Sequence, residues 1–440
     1  MVLPEFTHYQ TPPKRTVLCK TFSLVADGFL FVGGASLAIS LIWALLSTIN
    51  PNSFEETITT TTQPSSNDVV HCSNSFSGVD PPELTFYDDP NLSYSIDRSI
   101  RNWDQKRKQW LKHHPNFAGS TDTRVLIVTG SQPGVCRHPS GDHLQLRLFK
   151  NKVDYARIHG HEIFYNNALL HPKMTGFWAK YPLVKSAMLA HPEAEWVWWV
   201  DSDAVFTDME FKLPLEKYDN YNLVVHGWSH AVYDEKSWTG LNAGVFLIRN
   251  CQWSMELVEA WTRMGPQSPD YQKWGKTQKS LLKDKLYPES DDQAALIYLL
   301  LKENERWGKK IYLESEYNLE GYWLALVDKL NNITGRYMEI EQKVGDLRRR
   351  HAEKVSEYYG MVREEYLKDV VRRPFVIHFT GCEPCTGDHN PTYTWEACWN
   401  GMQKALNFAD NQVLRRFGFV HPDLLDSSLV SPLPFDFPLV

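Results

Sequence analysis

Two acidic side chains, Asp201 and Asp203, stand one residue apart directly behind the apolar run Trp196 to Val200. A short run mixing tryptophan with β-branched valine reads as a buried strand. Carboxylates at i and i+2 on the end of that strand leave the core side by side. They form an oxygen pair for a hard divalent cation of the Mg2+ or Mn2+ kind, the sort of ion that neutralises the phosphates of a ligand. The plainer alternative is an N-cap or Asx-turn where the strand stops.

Other residues could complete such a site. A cation of borderline hardness accepts one imidazole nitrogen as well, and His378 in FVIHFTG sits at the end of a second strand, although a histidine there also suits a core. Asp291, Asp292 and Gln293 open the apolar run Ala294 to Leu301, a helix N-terminus where negative charge is favourable. Capping alone explains them. As functional groups, Asp291 or Asp292 would accept from ligand hydroxyls, and the Gln293 amide would sit beside a developing positive charge. Lys180 and Lys185 lie on the helix before the acidic strand, where either could reach a diphosphate and Lys185 could equally face solvent. Gly130 and Ser131 end the first strand, Gly381 makes a turn after His378, and Asn242 to Gly244 read as a loop open to close approach. His378, Cys382, Cys385, His389 and Cys398 also have zinc-like spacing, but disulfides suit them better in an oxidising compartment. No Ser-His-Asp set, P-loop or GxGxxG is present.

The elements that must position these groups are legible in outline. RVLIVTG, a helix-like LRLFKNKVDYARIHG and HEIFYN make a βαβ unit beginning near Thr123. FWAKYPLVKSAMLAHP is a helix with Pro182 in its first turn, followed by the acidic strand. Strands at Asn222–His226 and Val245–Ile248, a helix in SMELVEAWTRM, a buried helix after Asp292 and a strand in FVIHFTG complete an α/β domain. Residues 95–113 read as one amphipathic helix carrying Ile100, Trp103 and Trp110. Residues 340–371 are a charged helical stretch to which packing and solvation are assigned.

The chain of 440 residues, 42% hydrophobic and with a formal net charge of −7, has ample core and no block of like charge suited to nucleic acid. Its 16 tryptophans and 20 tyrosines also suit carbohydrate, whose apolar faces stack on flat rings. An uncharged run from Gly28 to Ile49 is long enough to cross a bilayer, and Lys14, Arg15 and Lys20 precede it. The expected layout is a cytosolic tail (1–26), a signal anchor (27–49), a luminal Thr/Ser-rich stem (50–121) and a catalytic domain (122–440). Of seven cysteines, Cys19 is cytosolic, and the other six allow up to three disulfides of open connectivity. Asn91 and Asn332 head glycosylation sequons.

Taken together, WWVDSDAVFTDMEFKLPL, SWTGLNAGVFLIRNCQWS, DDQAALIYLL, HFTGC and ALNFADNQV resemble one family. It is the plant Golgi group of xyloglucan 6-xylosyltransferases and galactomannan galactosyltransferases, and the resemblance covers roughly residues 95–440. It implies a GT-A fold, a Rossmann-like nucleotide-sugar-binding mixed sheet flanked by helices behind a transmembrane anchor. It also implies a UDP-sugar donor, Mn2+, and α-1,6 transfer with retention onto a β-1,4-linked backbone. By position, Asp201, Asp203 and His378 resemble the metal ligands, while Lys180, Asp291, Asp292 and Gln293 resemble the donor and reaction-centre residues. Glu383 in HFTGCEPC, where xylosyl members carry Lys, and the segments around GWSHAVYDEKSW and FGFVHPDLLDSS point to the galactosyl branch. The expectation is UDP-galactose donated to O6 of mannan in the Golgi, with a mannan synthase complex or a second copy as partner. Rival expectations are a xylosyltransferase using UDP-xylose, a non-catalytic scaffold and a lectin.

Overall fold

The computed structural model describes residues 84–118, 123–348, 357–367 and 372–433. Its centre is a six-stranded sheet in the order β2-β1-β3-β6-β5-β7. The strands are β1 (Val125–Gly130), β2 (Glu162–Asn166), β3 (Trp196–Val200), β4 (Ala204–Phe206), β5 (Leu223–Gly227), β6 (Leu241–Arg249), β7 (Ile311–Glu314), β8 (Gly321–Tyr322) and β9 (Val376–His378). Within the large sheet β2, β1 and β3 run parallel, and β6 runs antiparallel to both β3 and β5. The sheet is therefore mixed, as expected.

Alternation along the strands divides the core into two layers. Leu126, Val128, Val197, Trp199, Phe246 and Ile248 face one apolar cluster. Val125, Ile127, Trp196, Trp198, Val245 and Leu247 face the other. The first layer is covered by α1 (Trp103–His113), α3 (Lys180–Ala190), α4 (Gln252–Thr262), α5 (Tyr271–Leu281) and α6 (Asp292–Lys302); α2 (Gly141–His159) covers the second. Further along, α7 (Leu330–Lys343), α8 (Glu357–Leu367) and α9 (Trp395–Leu414) follow. α9 packs on the second layer through Ala409 and builds a third cluster with Trp323, Leu330 and Phe379.

β4, β9 and β8 form a separate three-stranded sheet. Ala204 on β4 pairs with His378 on β9, and His378 pairs in turn with Tyr322 on β8. The chain thus leaves the large sheet at Val200, crosses Asp201-Ser202-Asp203 and enters the small sheet at Ala204.

Three expectations need correction. The stem does not run to residue 121, because Phe86, Leu92, Ile96, Ile100 and Trp103 pack into the first core layer. The helix expected over 95–113 begins at Trp103, with Asn102 left-handed (φ 58°) at its N-cap. The Lys185 ammonium donates to the carbonyls of Ser95 and Arg98 and ties this non-helical segment to the domain. Asn242 to Gly244 lie inside β6 and do not form a loop. Arg363 within the charged stretch and Arg373 just after it reach Glu210 at 3.0 and 2.9 Å, which docks that segment on the domain.

Disulfides join Cys136 to Cys385 and Cys382 to Cys398, so the cysteines with zinc-like spacing are engaged. Cys251 is a free thiol. Cys19, Cys72 and the segment 27–49 lie outside the described residues, and among the described residues no helix is long and apolar enough to cross a membrane.

Candidate active site and metal centre

The site forms where the two sheets part. β3 holds five buried residues and ends at Val200; the next residue, Asp201, donates its N–H to the Gly244 carbonyl at 2.9 Å. Two residues on, Asp203 is tied to the small sheet by its carbonyl, which accepts from Phe379 N–H at 3.2 Å. The β4–β9 register then sets His378 beside it. His378 Nε2 is 3.2 Å from Asp203 Oδ1 and 3.8 Å from Asp201 Oδ2. Ligand atoms of all three residues fall within 4.8 Å of one another.

Gly244 explains why they can be so close. A Cβ there would lie 2.8 Å from both Asp201 Oδ2 and His378 Nδ1, tighter than real side chains allow. The missing side chain is the space into which the carboxylate and imidazole converge. Two carboxylate oxygens and one imidazole nitrogen, the latter once an ion takes the place of its proton, suit Mn2+ or a similar cation, so these residues fit the ion that the sequence implies.

Electrostatics bind the cluster together. Burial alone would lower the His378 pKa, but the Asp203 and Glu320 carboxylates outweigh it and hold it well above the usual histidine value. Reciprocally, burial pushes Asp203 up, and the adjacent imidazole brings it below the ordinary carboxylate range. Glu320, 5% exposed, accepts from His378 Nδ1–H at 3.1 Å and so turns Nε2 toward the acids. Trp199 Nε1–H donates to Asp201 Oδ1 at 2.6 Å.

Lys180 links this cluster to α6. Its ammonium lies 3.3 Å from Asp201 Oδ1 and 3.0 Å from Asp292 Oδ2, and donates to the Ala243 carbonyl at 3.0 Å. Burial opposes its charge, yet Asp201 and Asp292 keep its pKa above the lysine norm. Burial raises the Asp292 pKa in spite of Lys180. Tyr181 Oη–H donates to the same carboxylate at 3.1 Å. Asp201, Lys180 and Asp292 are thus one continuous chain of charge.

Asp291 has a different task. Its Oδ1 caps α6, accepting from Ala294 N–H at 2.7 Å and Trp238 Nε1–H at 3.1 Å, and its Oδ2 meets the buried Lys285 ammonium. Of the two carboxylates expected at the reaction centre, Asp291 is therefore committed to the fold, and Asp292 is the one joined through Lys180 to the Asp201–Asp203–His378 cluster. Gln293 Nε2–H donates to the Trp238 carbonyl at 2.7 Å, which fixes its side chain beside the same helix start.

The remaining expected residues separate. Lys185 is buried and tethers residues 95–98, so it faces neither diphosphate nor solvent; burial draws its pKa down to about 8. Gly130 ends β1 on the same sheet edge as Asp201, but a Cβ there would strike the Asn166 carbonyl, so strand packing already requires glycine. Ser131 accepts from Tyr165 Oη–H at 2.7 Å. Asn242 Oδ1 accepts from Gly244 N–H at 2.7 Å and stiffens the strand under the metal centre. Gly381 adopts φ +79°, a turn conformation suited to glycine. Asn91 and Asn332 are exposed, the latter on α7.

Sequence reasoning missed Glu320, Trp199 as a carboxylate donor, Lys285 and Lys152. Glu320 belongs to no motif and reaches the site through β8–β9 pairing. Lys152 left a signal, since it falls four residues after Leu148 on the buried stripe of α2.

Residues 121–389 match the model of the galactosyl transferase GMA12/MNN10 family. The chain belongs to that family. It is 57% identical over 431 residues to glycosyltransferase 6 of Arabidopsis thaliana, covering 96% of this chain and 97% of that one. It is likewise 57% identical over 428 residues to galactomannan galactosyltransferase 1 of Cyamopsis tetragonoloba, covering 94% and 97%. The solved structure of galactosyltransferase LgtC with donor and acceptor sugar analogues is 13% identical at a TM-score of 0.31, a likeness too loose to carry an argument.

Proposed function

We propose that this glycosyltransferase-family chain moves galactose from UDP-galactose onto O6 of mannosyl units in a β-1,4-mannan, forming an α-1,6 branch with retained configuration. The carrying observation is the Asp201–Asp203–His378 cluster joined through Lys180 to Asp292 at the end of the central strands. The choice of galactose and mannan draws on the galactomannan galactosyltransferase of Cyamopsis tetragonoloba. A GT-A arrangement accords with the mixed sheet and with the acids at its strand ends.

When bound, Mn2+ held by Asp201, Asp203 and His378 would act as a Lewis acid on the donor diphosphate. Trp199 and Lys180 hold the Asp201 carboxylate in one orientation, and Glu320 holds the imidazole. In this reading Asp292 and Gln293 would supply the carboxylate and amide dipoles that favour positive charge developing on the sugar C1. Asp291 is committed to capping and Asp292 is engaged by Lys180 and Tyr181, so neither carboxylate stands free as a covalent nucleophile. Front-face attack fits this arrangement, the incoming hydroxyl giving its proton to the departing β-phosphate oxygen. Trapping a galactosyl-enzyme adduct would refute it.

The chain is further proposed to sit in the Golgi membrane on a single span at 27–49 with its domain luminal. Two disulfides and two exposed sequons suit an oxidising lumen. The deciding experiment supplies the detergent-solubilised full chain with UDP-galactose or UDP-xylose and with mannan or glucan oligosaccharides. Galactose transfer to mannan, with an α-1,6 linkage by NMR, is expected. Preferred xylose transfer to glucan would overturn the assignment, and no transfer with any pair would favour a scaffold.

A further inference from the structure

α2 carries two lysines close together that meet opposite fates. Lys150 reaches outward to Asp154 and Asp410, at 2.6 and 2.7 Å. Lys152, 1% exposed, points inward, and among the described residues no ion pair engages it. Its ammonium instead donates to three carbonyls: Ala204 at 2.7 Å, Ser202 at 2.9 Å and Leu148 of its own helix at 3.4 Å. Three acceptors match the three N–H groups of an ammonium, which has no acceptor of its own. A buried ammonium with no carboxylate in direct contact is expensive, and these three carbonyls offset part of that cost; burial draws its pKa down to about 7, against the pull of the nearby Asp203 and Asp201 carboxylates.

The two close carbonyls belong to the turn that carries the metal ligands. The Ser202 carbonyl lies in the peptide bond entering Asp203, and the Ala204 carbonyl lies one residue beyond it. When both are drawn toward α2, the backbone on each side of Asp203 is fixed. From that turn the Asp203 and Asp201 carboxylates reach His378 Nε2 at 3.2 and 3.8 Å. We propose that Lys152 is a positioning residue of the cation site, holding the Asp201-Ser202-Asp203 turn from behind so that its two carboxylates converge before an ion arrives. This rests on the reading of that cluster as a cation site and deepens it. Glu320 performs the matching task for the imidazole, so each part of the ligand set has its own buried anchor. Lys152 touches neither substrate nor ion; it holds the turn by its hydrogen bonds, and its charge also lies near enough to Asp203 and Asp201 to favour their ionised forms.

The test is Lys152→Gln in the full-length protein, which keeps a donor amide but neither the charge nor the reach. Free Mn2+ is titrated by electron paramagnetic resonance without donor substrate, and thermal melting is followed in EDTA. The expected result is Mn2+ affinity weakened about 10- to 100-fold, an altered hyperfine pattern of the bound ion and a melting point within a few degrees of wild type. With UDP-sugar, the Mn2+ concentration giving half-maximal rate rises, and kcat recovers at saturating metal. Unchanged affinity and spectrum in a folded variant overturn the proposal. If the glutamine variant does not fold, Lys152→Arg answers the same question, because the broader guanidinium cannot hold both carbonyls where they are. At least threefold weaker Mn2+ binding then supports the role, and equal binding overturns it. Wild-type protein that binds no Mn2+ would sink the cation reading itself, whereas tight binding by wild type and variant alike sinks only the role of Lys152.

Discussion

Gly244→Ala offers the sharpest trial of the metal centre, because the perturbation is one methyl group at a known place. That methyl would sit 2.8 Å from Asp201 Oδ2 and from His378 Nδ1, whereas ordinary contact begins at 3.4 Å. The imidazole, whose Cε1 would lie only 2.3 Å from the methyl, must therefore retreat by about 1.1 Å, and the carboxylate by about 0.6 Å. Retreat is obstructed on each side. Asp201 is held by Trp199 and Lys180, and His378 is held by Glu320 and by pairing with both β4 and β8. Overpacking of this kind costs about 1–3 kcal/mol of folding stability. Any ligand displacement that relieves it should weaken Mn2+ binding about 10- to 100-fold, or about 1.4–2.8 kcal/mol. Mn2+ titration by electron paramagnetic resonance reads the second effect, and melting in EDTA reads the first. Gly335→Ala is the control: a Cβ on that helical residue meets nothing within 4 Å, so binding should hold and stability should rise slightly. Wild-type Mn2+ affinity in folded Gly244→Ala would show that Asp201 and His378 do not converge on one ion.

Two further outcomes follow from charges that the fold has buried. Asp291→Ala removes a helix cap and strands Lys285, whose side chain is fully buried, so stability should fall by about 3–5 kcal/mol in urea unfolding; a loss under 1 kcal/mol contradicts the structural role given to Asp291. His161, packed by Tyr155 and Trp198, has its pKa drawn from 6.5 to about 4, by burial first and then by neighbouring His159. The unfolded chain then binds a proton between these values that the folded chain does not, so this contribution is full above pH 6.5 and is lost as pH falls toward 4. His161→Phe should flatten the decline in melting temperature across that window, and an unchanged slope refutes the account.

Much of this protein is written locally. The tryptophan–valine run needs no partner to become a buried strand, since its side chains suit nothing else, and the acids that follow it must emerge together. Asp291 and the apolar residues after it define a helix start from chemistry within four positions. The helix periods of α2, α3 and α4 and the family resemblance are likewise properties of the linear chain. What the chain could not disclose depends on register between distant strands. His378 becomes a neighbour of Asp203 because β9 pairs with β4 at Ala204, a contact spanning some 170 residues. Glu320 enters through the pairing of β8 with β9, and Gly244 earns its importance only where β6 passes beneath that imidazole. The division between Asp291 and Asp292 was also undecidable locally, since adjacent acids at a helix start look alike until Lys285 claims one and Lys180 the other. Local preference sets which elements form; the long-range pairing of strands, each fixed by burying its own face, decides which of their side chains meet.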